Sequence, residues 1–453
     1  MYIKKNDIIQ IEITGVTAEC SGVGRFDGMA VFIPAAAVGD ILSVKILKVA
    51  KNYAFGKIES IITPSEDRIS LDCPQFLKCG GCVFRHISYS SELKAKEQRV
   101  RDAIKRIGGF DDIDIRPIVG ADSCNNYRNK AQLPIGVGKD GKITMGFFAN
   151  HSHRIVECFD CSLQSKEFGR AINVFKAWAD KYSIAPYNEA NHTGVLRHLY
   201  LRIAQATGEI MVCVVANSKN LPHENELINM LKENVPNLAS IILNVNTKKT
   251  NVITGDTCRT LWGKDYITDE LCGLRFNISP LSFYQVNRVQ AQRLYQIANK
   301  YASLTKEDTL LDLYCGTGTI GLTMANQVKE LIGVEIIEQA VENAYENAKL
   351  NNIKNARFIC SDASKAACDL KQQNISPNII VIDPPRKGCD ASLIDTIISM
   401  EPDRIVYISC DPATLARDLK IFNEKGYKPQ ALTPVDLFPR TAHVECVTFL
   451  RRK

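Results

Sequence analysis

Among sixteen cysteines in 453 residues, two groups stand apart by their neighbours. Cys73, Cys79 and Cys82 form a Cys-x5-Cys-x2-Cys loop that contains Gly80-Gly81, and Cys161 supplies a fourth thiol far along the chain. Four thiolates suit a tetrahedral zinc or an iron-sulfur cluster, and spacing leaves both open. Cys158 competes with Cys161 for the fourth place. The second group is one residue, Cys410, between the strand-like run RIVYIS and a Pro-initiated helix. A thiol near a helix N-terminus is expected to have a lowered pKa and to act as a nucleophile. Against this stands the ordinary use of cysteine as a small buried side chain.

Other polar residues are expected at the same sheet edge. The run DTLLDLYCGTG enters a turn with Gly316 and Gly318, LIGVE ends in Glu335, ARFICSD in Asp362, and NIIVID runs into Asp383-Pro384-Pro385-Arg386. Glycines let a ligand approach the strand end, and an acid some twenty residues on can hold ribose hydroxyls, so a nucleoside cofactor is expected. Gly316, Gly318 and Gly321 have the Gly-x-Gly-x-x-Gly spacing that a nicotinamide dinucleotide would also use, and S-adenosylmethionine is the expected cofactor. Asp362 suits an adenine amino group or, equally, a helix N-cap. A thiolate adding to carbon 6 of a uracil makes carbon 5 nucleophilic towards a methyl donor, and a base must then remove the carbon 5 proton. Glu445, in TAHVECVTFL, can be that base.

These residues need a scaffold. From about residue 285 strand, glycine turn and helix repeat to the C-terminus, as in a doubly wound α/β sheet. Residues 63–280 read as an α+β middle domain with a helix near 167–182, and residues 1–62 as a small β-barrel whose turns carry Gly22, Gly24 and Gly28. On the barrel, Lys45, Lys48, Lys51 and Lys57 beside Tyr53 and Phe55 suit phosphates and unstacked bases. A helix from Ser91, its expected N-cap, to a Gly pair turns Lys94, Lys96, Arg99, Arg101, Lys105 and Arg106 outward, where they could follow a backbone. That segment, near 90–116, is expected to pack on the C-terminal domain. A net charge of +6 decides nothing alone. With no signal-like N-terminus and no long apolar run, a cytoplasmic location without a membrane partner is expected.

Gln285-Val286-Asn287, the stretch from Asp312 to Gly318, the stretch from Asp383 to Gly388, Ser409-Cys410-Asp411-Pro412 and His443-Val444-Glu445 together resemble the motif set of the RNA uracil-5 methyltransferases over essentially the whole chain. The resemblance implies a TRAM domain at residues 1–60, a Rossmann-like methyltransferase domain from 281 to 453, and a 4Fe-4S cluster on Cys73, Cys79, Cys82 and Cys161. It also implies that Gln285, Tyr314, Gly316, Glu335 and Asp383 line the cofactor and base pocket, with Cys410 as nucleophile and Glu445 as proton acceptor. The implied substrate is RNA, 23S ribosomal RNA ahead of transfer RNA, acted on by a monomer with the base flipped into the pocket. Arg85 stands where the family usually has Gln. A radical methylthiotransferase would need Cys-x3-Cys-x2-Cys, a non-catalytic RNA-binding protein would not need Cys410 and Glu445, and an amino-group methyltransferase would have an aromatic residue in place of Arg386.

Overall fold

Alternating apolar residues fold the N-terminal segment around its own core. In the computed structural model, which describes residues 3–453, the strands Ile8–Val16, Gly22–Phe26, Met29–Ile33, Tyr53–Thr63 and Ile41–Val49 close, in that order, into a barrel. Ile11, Ile13, Val31, Ile33, Leu42, Val44 and Ile46 fill it. Gly22 and Gly24 are strand residues rather than turn markers. A Cβ on Gly22 would lie 2.7 Å from Ala36 Cβ and one on Gly24 2.5 Å from Glu12 O, so close packing explains both. Of the three, Gly28 alone has a turn conformation, with φ +84°.

The middle sheet runs Thr257–Gly263, Leu238–Val245, Ile210–Ala216, Leu196–Ile203, Lys130–Val137, Ile143–Phe148, Ile155–Glu157 from edge to edge. Its central strands are buried on both faces. Phe168–Lys181 and Glu224–Asn234 cover one face through Phe175, Trp178 and Leu231. On the other face Tyr200, Met211, Cys213 and Val215 share a core with Leu294 and Tyr295 of the helix Arg288–Ala302. Middle and C-terminal parts are thus joined by common apolar packing.

The C-terminal sheet runs Ala356–Cys360, Glu330–Glu335, Thr309–Leu313, Ile379–Ile382, Arg404–Ser409, Glu445–Arg452, Tyr427–Val435, Asp114–Ile115. The first five strands are parallel, and Glu445–Arg452 is antiparallel to Arg404–Ser409. An antiparallel strand begins where its parallel neighbours end, so Glu445 starts at the edge where Leu313, Glu335, Ile382 and Ser409 finish. Asp114–Ile115 extends this sheet by pairing with Ala431 and Leu432, and the helix Tyr89–Ala103 packs against Pro412–Glu424.

That helix departs from expectation in two respects. It is capped by Ser88, whose Oγ accepts from Ser91 N at 3.3 Å, because Ser91 is itself within the first turn and buried. Lys96 is not on a solvent face: its Nζ lies between Glu92 Oε1 at 2.7 Å and Asp436 Oδ1 at 2.8 Å, with 1% of the side chain exposed. The buried cation answers Glu92 one turn earlier on the same helix and Asp436 from the far end of the chain, and the second partner is what local periodicity does not reveal. No helix among the described residues is long and apolar enough to cross a membrane.

Candidate active site

The nucleoside side of the site is a ring of strand ends. Tyr314 ends Thr309–Leu313 with φ +67°, a costly conformation for a side-chain-bearing residue that turns the chain sharply towards Gly316. A Cβ at Gly316 would meet nothing within 4 Å, so open space lies against its backbone. Glu335 Oε2 accepts from Gly316 N at 3.1 Å and Oε1 from Ile336 N and Ile337 N at 2.8 and 3.0 Å. Each oxygen keeps further acceptor capacity for a hydroxyl. Asp312 anchors the turn from behind, its Oδ2 accepting from Gly321 N at 2.8 Å, and burial pushes its carboxyl up to about 8.

Asp362 is the N-cap of Ala363–Gln372: Oδ1 accepts from Ser364 N and Lys365 N at 2.9 and 3.2 Å, leaving Oδ2 free of those bonds. It also lies near enough to Tyr314 to help burial hold the phenol protonated. Gln285 is buried, its backbone carbonyl accepting from Asn129 Nδ2 at 2.9 Å. Neighbouring Asn287 donates to Leu437 O at 3.1 Å. Sequence reading passed over Ile336 and Ile337, 65% and 60% exposed beside Glu335. Isoleucine is a poor N-cap, yet Ile337 occupies that place before Glu338–Leu350 without a side-chain cap. That mismatch was the available signal for an exposed apolar patch beside Glu335.

Ser409 pairs with Cys446 as the last rung between their strands, and Cys410 and Glu445 lie one residue beyond that rung, close enough for Glu445 to act on the Cys410 thiol. Glu445 is 4% exposed, and burial first, then Asp383, pushes its carboxyl up to about 8. Burial pushes Asp383 up to about 7. The Cys410 thiol is raised to about 11, by burial, then Glu445 and Asp383, with Arg386 opposing. The expected lowering by a helix N-terminus does not occur. Asp411 Oδ1 already takes Ala413 N and Thr414 N, both at 2.9 Å, so those donors cannot serve the thiolate.

Arg386 lies over His443, its Nη2 3.5 and 3.4 Å from the two ring nitrogens; burial, then Arg386, lowers the imidazole to about 4. The Asp383-Pro384-Pro385-Arg386 loop is pinned to the helix after Cys410: Thr414 Oγ1 donates to Arg386 O at 3.0 Å, and Cys389 N donates to Asp418 Oδ2 at 2.9 Å. Burial thus favours the neutral forms of the Cys410 thiol and of the Asp383 and Glu445 carboxyls, beside the Arg386 guanidinium.

The other cysteines gather in a separate place. Cys73, Cys79, Cys82, Cys158 and Cys161 line one cavity of about 60 Å³. No three His, Cys, Asp or Glu side chains among the described residues are arranged to hold a metal ion as they stand. The Cys161 thiol is held low, chiefly by its hydrogen bond with Cys158 and also by the N–H groups of Leu163 and Gln164. Arg85, buried, is paired with Asp72 and donates to Asn125 Oδ1 at 2.8 Å. On the barrel, Phe32 joins Tyr53 and Phe55 in a cluster with ring centroids 5.5–5.7 Å apart, and the latter two are 41% and 40% exposed. Phe32 was not legible as part of this surface because pairing of Met29–Ile33 with Tyr53–Thr63 brings it there.

A barrel suited to nucleic acid, joined to a Rossmann-like sheet with a strand-end thiol and carboxylate, defines a methyltransferase class that carries its own RNA-binding module. The chain belongs to the tRNA (uracil-5-)-methyltransferase family, whose model matches residues 196–453, and a TRAM domain model matches residues 4–58. An uncharacterized RNA methyltransferase of Clostridium tetani is 43% identical, covering 99% of this chain and 97% of its own. One of Halalkalibacterium halodurans is also 43% identical, covering 100% and 98%. Among solved structures, the Pyrococcus abyssi tRNA (uracil-54, C5)-methyltransferase in complex with S-adenosyl-L-homocysteine superimposes with TM-score 0.78 at 28% identity, covering 98% of this chain and 100% of that one.

Proposed function

We propose that this protein methylates carbon 5 of a uridine in RNA, with Cys410 as covalent nucleophile and Glu445 as base. The observation that carries the reading is that Cys410 and Glu445 lie one residue beyond the last pair, Ser409 and Cys446, of two adjacent antiparallel strands at the cofactor edge of the sheet. S-adenosylmethionine, held by Glu335, the Gly316 turn, Tyr314 and Asp362, would supply an electrophilic methyl group. The open space at Gly316 and the spare acceptor capacity of Glu335 fit it. The Cys410 thiol loses its proton to solvent and the thiolate sulfur bonds to carbon 6, moving an electron pair through carbon 5 towards the uracil oxygen O4. Asp383, neutral in its protonated form, can donate a hydrogen bond where that charge collects. After methyl transfer the Glu445 carboxylate removes the carbon 5 proton, the carbon–sulfur bond breaks, and the thiolate is regenerated.

We take the substrate to be 23S ribosomal RNA, on the combination of a TRAM barrel with a thiol cluster. The second reading is transfer RNA, which is favoured by the Pyrococcus abyssi enzyme's own substrate. Mapping 5-methyluridine in cellular RNA with and without the gene decides: loss from 23S RNA supports the first, and loss confined to transfer RNA overturns it while keeping the chemistry. Cys73, Cys79, Cys82 and Cys161 are the proposed ligands of a 4Fe-4S cluster. Five thiols converging on one cavity fit such a group, and Cys161 is taken as the fourth thiolate from its place before Ser162-Leu163-Gln164 in the motif. The cluster's place is structural, holding the loop from 73 to 82, and no chemical step passes through it.

A further inference from the structure

We propose that Arg99 is a positioning residue that bridges the turn carrying the nucleophile and the loop carrying the base. This rests on the roles given above to Cys410 and Glu445. Arg99 belongs to the helix Tyr89–Ala103, which precedes the middle sheet in sequence. Its Nη1 donates to Ala442 O at 2.6 Å, and its Nη2 pairs with Asp411 Oδ2 at 3.7 Å. Ala442 stands three residues before Glu445, and Asp411 directly follows Cys410. A planar guanidinium spans two such acceptors in fixed geometry, which a flexible ammonium cannot.

The bridge matters because the sheet does not hold Cys410. The ladder between the two strands ends at Ser409 and Cys446, and Cys410 lies one residue beyond it. Residues 436–444, between Tyr427–Val435 and Glu445–Arg452, likewise lie outside a ladder and are held by side chains. Lys96 Nζ donates to Asp436 Oδ1 at 2.8 Å and to Phe438 O at 3.2 Å, and Tyr89 OH donates to Asp436 Oδ2 at 2.7 Å. Tyr127 OH donates to Pro439 O at 2.9 Å, and Val83 N to Arg440 O at 2.8 Å. The helix is therefore seated on this loop through buried bonds, and Arg99 extends that frame to the nucleophile's turn. The other oxygen of Asp411 caps the helix Pro412–Glu424, so the bridge closes on a rigid element.

Arg99 also lines a groove of about 670 Å³ between barrel and helix, together with Lys94 and Arg106, which offers a competing role as a phosphate ligand. The experiment compares the full-length wild type, Arg99→Ala and Arg99→Lys in steady-state methylation of RNA from cells lacking the gene. It adds S-adenosylmethionine affinity by calorimetry, the rate of formation of the adduct with 5-fluorouridine RNA, and the rate of decay of the adduct with uridine RNA, which keeps the carbon 5 proton. Misplacing a reacting group by about 1 Å costs on the order of 100-fold, so kcat of Arg99→Ala should fall about 10- to 100-fold. Adduct formation and decay should both slow, while the KM for RNA and the cofactor affinity stay within about threefold. Arg99→Lys should recover part of kcat, since one ammonium reaches one partner. A raised KM with wild-type kcat would make Arg99 a phosphate ligand and overturn the proposal. Full recovery in the lysine variant would also overturn it, and that variant decides should the alanine protein not fold. Wild-type turnover in the same assay tests the functional reading, whereas the variant-to-wild-type ratio tests the bridge.

Discussion

Replacing Glu445 by Gln keeps the side chain's shape and removes its titration, so stability and chemistry can be read from one variant. The carboxyl moves from 4.5 in the unfolded chain to about 8 in the folded one. Between those values the folded protein keeps a proton that the unfolded chain has released. The wild type therefore loses stability as pH rises from about 4.5 to about 8 and levels off above that. The full difference corresponds to about 4–5 kcal/mol, and relaxation around a buried carboxylate reduces what is realised to about 1–3 kcal/mol. The glutamine variant escapes this loss. Its melting temperature relative to wild type should rise by roughly 1–3 °C between pH 5 and pH 9. Asp312 and Asp383 titrate in both proteins and largely cancel in the difference. With 5-fluorouridine-free RNA the same variant should accumulate the Cys410 adduct, which denaturing gels resolve, because attack and methyl transfer precede the step Glu445 performs. A melting difference that does not change with pH would refute the argument that Glu445 is held protonated by burial, and a variant that turns over normally without adduct would refute its role as base.

Cys410→Ala should abolish both methylation and adduct formation, measured with labelled cofactor and denaturing gels. In the wild type, alkylation of Cys410 by iodoacetamide, followed by peptide mapping, should still rise about tenfold per pH unit between pH 8 and pH 10, since its thiol titrates at about 11; a plateau below pH 8.5 would contradict this. Iron content of anaerobically purified protein should fall sharply in Cys161→Ser and remain in Cys158→Ser, whereas one zinc per chain without iron would remove the cluster. Changing Tyr53 and Phe55 together to Ala should weaken RNA binding about 10- to 100-fold with little change in melting temperature, on the scale of about 1–3 kcal/mol per stacked base.

Much of the site was legible because its residues sit where local patterns change. Apolar runs of strand length that break at Asp383, Cys410 and Glu335 mark strand ends, and parallel topology gathers such ends on one edge. The glycines at 316 and 318 marked the turn for the same reason. Helix cations were read less well. Lys96 and Arg99 carry the same periodicity as their solvated neighbours, and only the fold brings Asp436 to one and Ala442 and Asp411 to the other. Gly22 and Gly24 misled similarly, since the contact each must avoid comes from another part of the barrel.

What the sequence determined by itself was therefore the set of reactive groups and the elements that carry them, because hydrophobic period and turn chemistry are local. The protonation of those groups was decided by tertiary structure. Burial and the neighbouring carboxyls raise Cys410 to about 11, and Asp411 occupies the helix donors that sequence alone had assigned to the thiol. Solvent exclusion and charge–charge distance are properties of the packed chain, and no spacing of residues encodes them.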